Sequence, residues 1–354
     1  MSLLEVKDLS IHFKTPGGTL TAVDKLSFSV DAGETLAIVG ESGCGKSVTA
    51  LALMRLLTPS TKVSGSIRFE DRELTTLPER QMRDLRGNRM AIIFQDPMAA
   101  LNPVMTIGDQ IVEAIRAHEK VSKEAARKRA EELLELVHIP EPRRRLDEYP
   151  HRFSGGMRQR AAIAMALASK PSVLIADEPT TALDVTIQAQ ILHLLHRLQR
   201  DLGMALILIT HDLGVVAETA DRVLVMYAGR KVEQQGVNGL FEQPLHPYTQ
   251  RLMGAKPRLE QDSVGTPQRL QEIPGLVPQL TQLPAGCAFS TRCDMADHVC
   301  HSVRPELKSH AGHGLIACHK SEQLDAAEVA AAVATKGIQF IERAPAEQPL
   351  ARVA

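Results

Sequence analysis

Gly40-Glu41-Ser42-Gly43-Cys44-Gly45-Lys46-Ser47 decides the fold. These residues fit G-x-x-x-x-G-K-[ST], the P-loop pattern. Their flanks agree with it: Thr35 to Val39 is an apolar run that reads as a buried strand, and Val48 to Leu57 carries a helical pattern. In that strand–loop–helix setting glycines turn successive backbone N–H groups around phosphate oxygens, and the next helix aims its positive N-terminus at them. Lys46 then reaches the β- and γ-phosphates and the Ser47 hydroxyl ligates Mg²⁺. Gly40, Ser42, Gly43, Cys44, Gly45, Lys46, Ser47 and Val48 are the expected nucleotide-binding residues. A chance Gly-rich turn would account for the loop but not for both flanks.

The 354 residues suit one large domain plus an addition. A net charge of -1 offers no electrostatic reason to expect nucleic acid, and 3% aromatic residues with no Trp argue against a base-stacking platform. No run approaches the roughly 18 apolar residues of a membrane span. The N-terminus lacks the basic-then-apolar layout of a signal peptide. The expectation is a cytosolic protein, unless another chain brings it to a membrane. Five cysteines in such a chain do not point to disulfides.

Along the chain, Leu3 to Phe13 and Leu26 to Val30 alternate as strands, and Gly65 to Glu70 adds another, making an antiparallel layer. Phe13 either stacks on a base or fills the core. Met90 to Phe94 is a short buried strand ending at Gln95. Residues 106 to 170 read as helices, with a charged, solvated connection from Glu141 to Glu148. Ser154-Gly155-Gly156 opens a helix, leaving an anion site with nothing of its own to fill it. Ser172 to Glu178 is a buried strand ending in two carboxylates that point to opposite faces. One can hold Mg²⁺, and the other can act as a general base. The strand Ala205 to Thr210 ends at His211. Arg222 to Tyr227 and Arg230 to Glu233 are expected to close the sheet.

Together these residues resemble the nucleotide-binding subunit of an ATP-binding cassette (ABC) transporter over about residues 1 to 255. Walker A is GESGCGKS (40–47), the Q-loop residue is Gln95, and Walker B is VLIADE (173–178). The D-loop is ALD (182–184) and the switch histidine is His211. The signature FSGGMRQR (153–160) departs from LSGGQ at Phe153 and Met157. The resemblance implies an α/β fold: a P-loop NTPase core sheet, an antiparallel β subdomain and a helical subdomain inserted at about 97–165. Beyond it the composition shifts to a Cys-rich, loop-dominated C-terminal extension (256–320) before an Ala-rich tail (321–354). The resemblance also implies a head-to-tail ATP sandwich in which Ser154, Gly155, Gly156, Met157 and Gln159 complete a partner's site and Asp184 lies at the D-loop. Glu178 is then the catalytic carboxylate, with His211 and Gln95 also catalytic, and Mg²⁺ is held through Ser47, Gln95 and Asp177.

Phe94-Gln-Asp-Pro-Met, Leu101-Asn-Pro103 and His246-Pro-Tyr-Thr249 are similar to the bacterial dipeptide/oligopeptide/nickel importers. That branch implies a second, paralogous ATPase subunit, two permeases, indirectly a substrate-binding protein, and a peripheral place on the cytoplasmic face of the inner membrane. The alternatives are an ABC ATPase acting on nucleic acid or the ribosome, or an exporter ATPase.

Cys287, Cys293, Cys300 and Cys318 follow in a Pro-rich segment and read as one metal site. Their spacing matches neither ferredoxin runs nor a zinc knuckle, and zinc or an iron–sulfur cluster fits four thiolates. The resemblance implies a [4Fe–4S] cluster. His298, His301 and His319 lie nearby as replacement ligands. Cys44 reads as a small filler in the loop.

Overall fold

The computed structural model describes residues 2–181, 183–254, 273–310 and 314–321. The Ala-rich tail lies outside them. Two sheets are present. The first is antiparallel, in the order β2-β1-β4-β5, from β1 (Leu4–Thr15), β2 (Gly18–Val30), β4 (Lys62–Phe69) and β5 (Arg72–Glu73). The turn from Thr15 to Gly18 joins β1 to β2, with Thr15 paired to Gly18.

The second sheet runs β11-β12-β10-β9-β3-β8-β7-β6. Its parallel part comprises β3 (Thr35–Val39), β6 (Met90–Ile93), β7 (Val173–Asp177), β8 (Ala205–Thr210) and β9 (Arg222–Tyr227). Every residue of β3, β7 and β8 is buried. Continuous apolar runs rather than alternating ones follow from covering both faces of a parallel sheet.

β10 (Arg230–Gly236) does not close the sheet. β12 (Gly314–Ile316) pairs with it through Glu233 and Gln234, and β11 (Lys308–His310) pairs with β12. The C-terminal segment is therefore folded onto the core. Phe289 is fully buried against Tyr227 and Tyr248, with ring centroids 5.2 and 5.5 Å away.

Between β6 and β7 lie the helices Ile107–His118, Lys123–Leu136 and Gly155–Ala166. Thr106, Ser122 and Ser154 cap them, each side chain accepting a backbone N–H three residues on. Ile107, Ile111 and Ile115 recur every four residues and pack with Leu134, Phe153 and Ile163. The charged connection forms a short helix, Pro142–Arg145, where Arg144 pairs with Glu141 and Arg145 with Glu148. No described helix is long and apolar enough to cross a membrane.

Candidate nucleotide-binding site

β3, β8, β7 and β6 are neighbours, so their C-terminal ends share one edge, where open α/β sheets bind ligands. The P-loop leaves β3 there and enters the helix Lys46–Leu53. Two glycines in it are sterically required. A Cβ on Gly40 would lie 2.2 Å from the Met226 carbonyl oxygen, and one on Gly45 (φ +101°) 2.7 Å from that of Ala22. Lys46 is buried, and its Nζ donates to the carbonyls of Gly40 at 2.7 Å and Glu41 at 3.1 Å. Cys44 is buried too, and burial raises its thiol pKa against the opposing charge of Lys46. Ser42 and Gly43 stand exposed at the loop's tip, while Val48 packs on the core beneath it.

Ser47 Oγ donates to Asp177 Oδ1 at 3.0 Å, which unites two of the three expected Mg²⁺ ligands. Burial pushes the Asp177 carboxyl up, and the Ser47 hydrogen bond pulls it back. Glu178 lies one residue past the end of β7, so strand alternation does not set its direction. Its backbone is left-handed (φ 45°), a strained conformation for a non-glycine residue. Gln95 Nε2 and Thr181 Oγ1 each donate to Glu178 Oε2 at 3.0 Å, and His211 Nδ1 lies 3.7 Å from Oε1. Gln95 thus contacts Glu178, not the Ser47–Asp177 pair. Thr181 joins this group without having been singled out; the run Glu178-Pro-Thr-Thr181 held the signal in its hydroxyls.

At the signature, Ser154 and Gly155 are exposed, and Ser154 Oγ accepts from Met157 N–H. A Cβ on Gly156 would meet Ile187 Cγ2 at 2.8 Å, so this glycine also serves packing against the helix Val185–Leu202. Gln159 does not belong to this exposed end. It is buried, with Nε2 unpartnered. Asp184 caps the helix Val185–Leu202 through Ile187 N–H. Phe13 is half-buried near the end of β1 and packs on the core.

Cys287, Cys293, Cys300 and Cys318 all line one small cavity of about 20 Å³, with His246, Phe289 and His319. Cys287 N–H donates to the Cys300 carbonyl at 2.8 Å, tying two of them together. Burial first, and then the neighbouring thiols, push Cys318 up to about 12. Among the described residues no group of three or more Cys, His, Asp or Glu is arranged to hold a metal ion.

This fold, with a P-loop, paired Walker B carboxylates and a capped Ser-Gly-Gly helix, defines an ABC-type ATPase. Residues 23–181 match the ABC transporter family, and residues 232–300 match the C-terminal region of oligopeptide/dipeptide transporters. A probable peptide ABC transporter ATP-binding protein of Sinorhizobium fredii is 54% identical, over 91% of this chain and 96% of its own. The oligopeptide transport ATP-binding protein OppD of Salmonella typhimurium is 51% identical, over 90% and 93%. A dimeric ATP-binding cassette, MJ0796, solved in a post-hydrolysis state with ADP and Pi, superposes with a TM-score of 0.60 at 27% identity, over 66% of this chain and 98% of that one. The chain belongs to the ATP-binding proteins of peptide ABC transporters. A nucleic-acid- or ribosome-acting ATPase is not favoured.

Proposed function

We propose that the chain powers import of di- or oligopeptides by binding and hydrolysing ATP at the cytoplasmic face of a membrane complex. The observation that carries this reading is the Glu178 hub, with Gln95, Thr181 and His211, beside the Ser47–Asp177 pair. Loop 40–47 holds the phosphates, and Lys46 exchanges its two backbone carbonyls for phosphate oxygens. Ser47 and Asp177 would hold Mg²⁺, which would neutralise charge on the phosphates. Glu178 orients the attacking water and accepts its proton, while Gln95 and His211 keep that carboxylate in place. Phe13 stacks on the adenine.

Ser154, Gly155, Gly156 and Met157 close a partner's ATP site, and Asp184 lies at the same seam. The partner is a paralogous ATPase subunit. The exposure of Ser154 and Gly155, and the dimeric cassette that the fold resembles, support this. Asp96, next to Gln95, caps the helix Pro97–Ala100; Met98 within it and Val104 beyond it are 39% and 79% exposed. These apolar side chains suit a permease contact. A substrate-binding protein would deliver the peptide. Residues 1–255 form the ABC domain, with its helical part at about 97–165, and 256–320 the cysteine-bearing extension.

The four thiols of the extension line one cavity, and we assign them a [4Fe–4S] cluster rather than zinc. Cys287, Cys293, Cys300 and Cys318 would supply its four thiolates. Anaerobic purification should give a brown protein with about four irons per chain; a colourless, zinc-bearing protein would refute the assignment. For the ATPase, Glu178→Gln in the assembled complex should retain ATP binding and lose peptide uptake into vesicles. Undiminished uptake would overturn the role of Glu178.

A further inference from the structure

Glu41 occupies the second position of the loop, and its carboxylate is held from far along the chain. Arg292, 251 positions away, donates through both terminal nitrogens, at 2.7 Å to Oε2 and 3.1 Å to Oε1. Such a two-point contact matches guanidinium to carboxylate in a fixed plane. Arg292 is itself built in. Its side chain is 4% exposed, against 25% for Glu41. Its Nε donates to the Pro274 carbonyl at 2.9 Å, and its cation stands 5.9 Å from the Tyr227 ring centre. The Glu41 backbone is tied in the same direction, because its N–H donates to Tyr248 Oη at 2.9 Å. Both ends of this residue are therefore fixed by the C-terminal third of the chain.

The loop must accept a ligand carrying several negative charges, and a free carboxylate at its second position would repel it. We propose that Arg292 is a positioning residue for nucleotide binding: it neutralises Glu41 and holds that carboxylate against the C-terminal segment, leaving the loop's N–H groups and Lys46 for phosphate. Arg292 directly precedes Cys293, so the segment that carries the thiols also carries the residue that prepares the loop. This rests on residues 40–47 being the ATP cradle.

ATP affinity of the full-length chain, measured by calorimetric titration, tests it. Arg292→Met should weaken ATP binding about tenfold, and the deficit should shrink as salt screens the exposed carboxylate. Glu41→Gln/Arg292→Met should return affinity to within about threefold of the parent. Parental affinity in Arg292→Met, or a double variant as weak as the single, would overturn the proposal. Should Arg292→Met fail to fold, the double variant decides alone: near-parental affinity supports the charge role and a tenfold loss contradicts it. Lys46→Ala is the separate control, since full affinity there would refute the cradle itself and not the role of Arg292.

Discussion

The chain carries two proposed phosphate sites of unequal completeness. At the P-loop end, Lys46 is buried, Gly40 and Gly45 are packed against backbone, and Ser47 is already joined to Asp177. Glu178 has neighbours from the ends of β6 and β8. At the signature end, Ser154 and Gly155 face solvent, and the Ser154 hydroxyl does no more than cap its helix. A helix N-terminus with exposed N–H groups is half of an anion site. On the proposed reading, the chain finishes one half-site within itself and presents the other half to a second molecule.

Substitutions at the two ends should separate in what they damage. The largest effect is expected for Glu178→Gln, with ATP turnover of the assembled complex falling about 10²- to 10⁴-fold while ATP is still retained. Gly155→Asp should come next. An acid suits a helix N-terminus and its Cβ meets only the flexible end of Leu183 at 3.3 Å, so folding should persist. Turnover should nevertheless fall more than about tenfold, through repulsion of the facing phosphate, with ATP affinity at the chain's own loop unchanged. Loss of that affinity would blur the separation. Ser154→Ala should lower stability by about 1 kcal/mol through loss of the cap, read as a modest drop in melting temperature.

The smallest effect lies away from both ends. Burial, and secondarily the charge of Arg222, lower the Lys231 pKa from 10.5 to about 8. The unfolded chain keeps that proton up to about 10.5, whereas the folded one releases it near 8. Stability should therefore climb with pH between those values, and below about 8 the cost of burying the cation should be constant. Lys231→Met should flatten that slope in denaturant titrations at stepped pH.

Much of the core was legible because its signals are local. Apolar runs ending in Gln95, Asp177 and His211 identify strands whose ends meet on one edge, and glycine spacing identifies the loop. Gln159 shows where motif spacing misleads. Five positions after Ser154, the helical turn carries it to the inward face with Ala162 and Ile163, which periodicity also contained. The return of β12 onto β10 was not legible, because a strand of three residues has too little pattern to read. Nor was the Arg292–Glu41 pair: charge partners 251 positions apart leave no periodic trace.

The central claim is that Ser154 to Met157 faces a nucleotide held by another subunit. Vanadate-trapped complex, irradiated to cleave backbone beside the bound anion, tests it most directly. Cleavage of this chain is predicted at both 40–47 and 154–157. In a Lys46→Ala version, cleavage at the loop should vanish while cleavage at 154–157 persists. Absence of cleavage at 154–157, or its loss together with the loop's, would contradict the account.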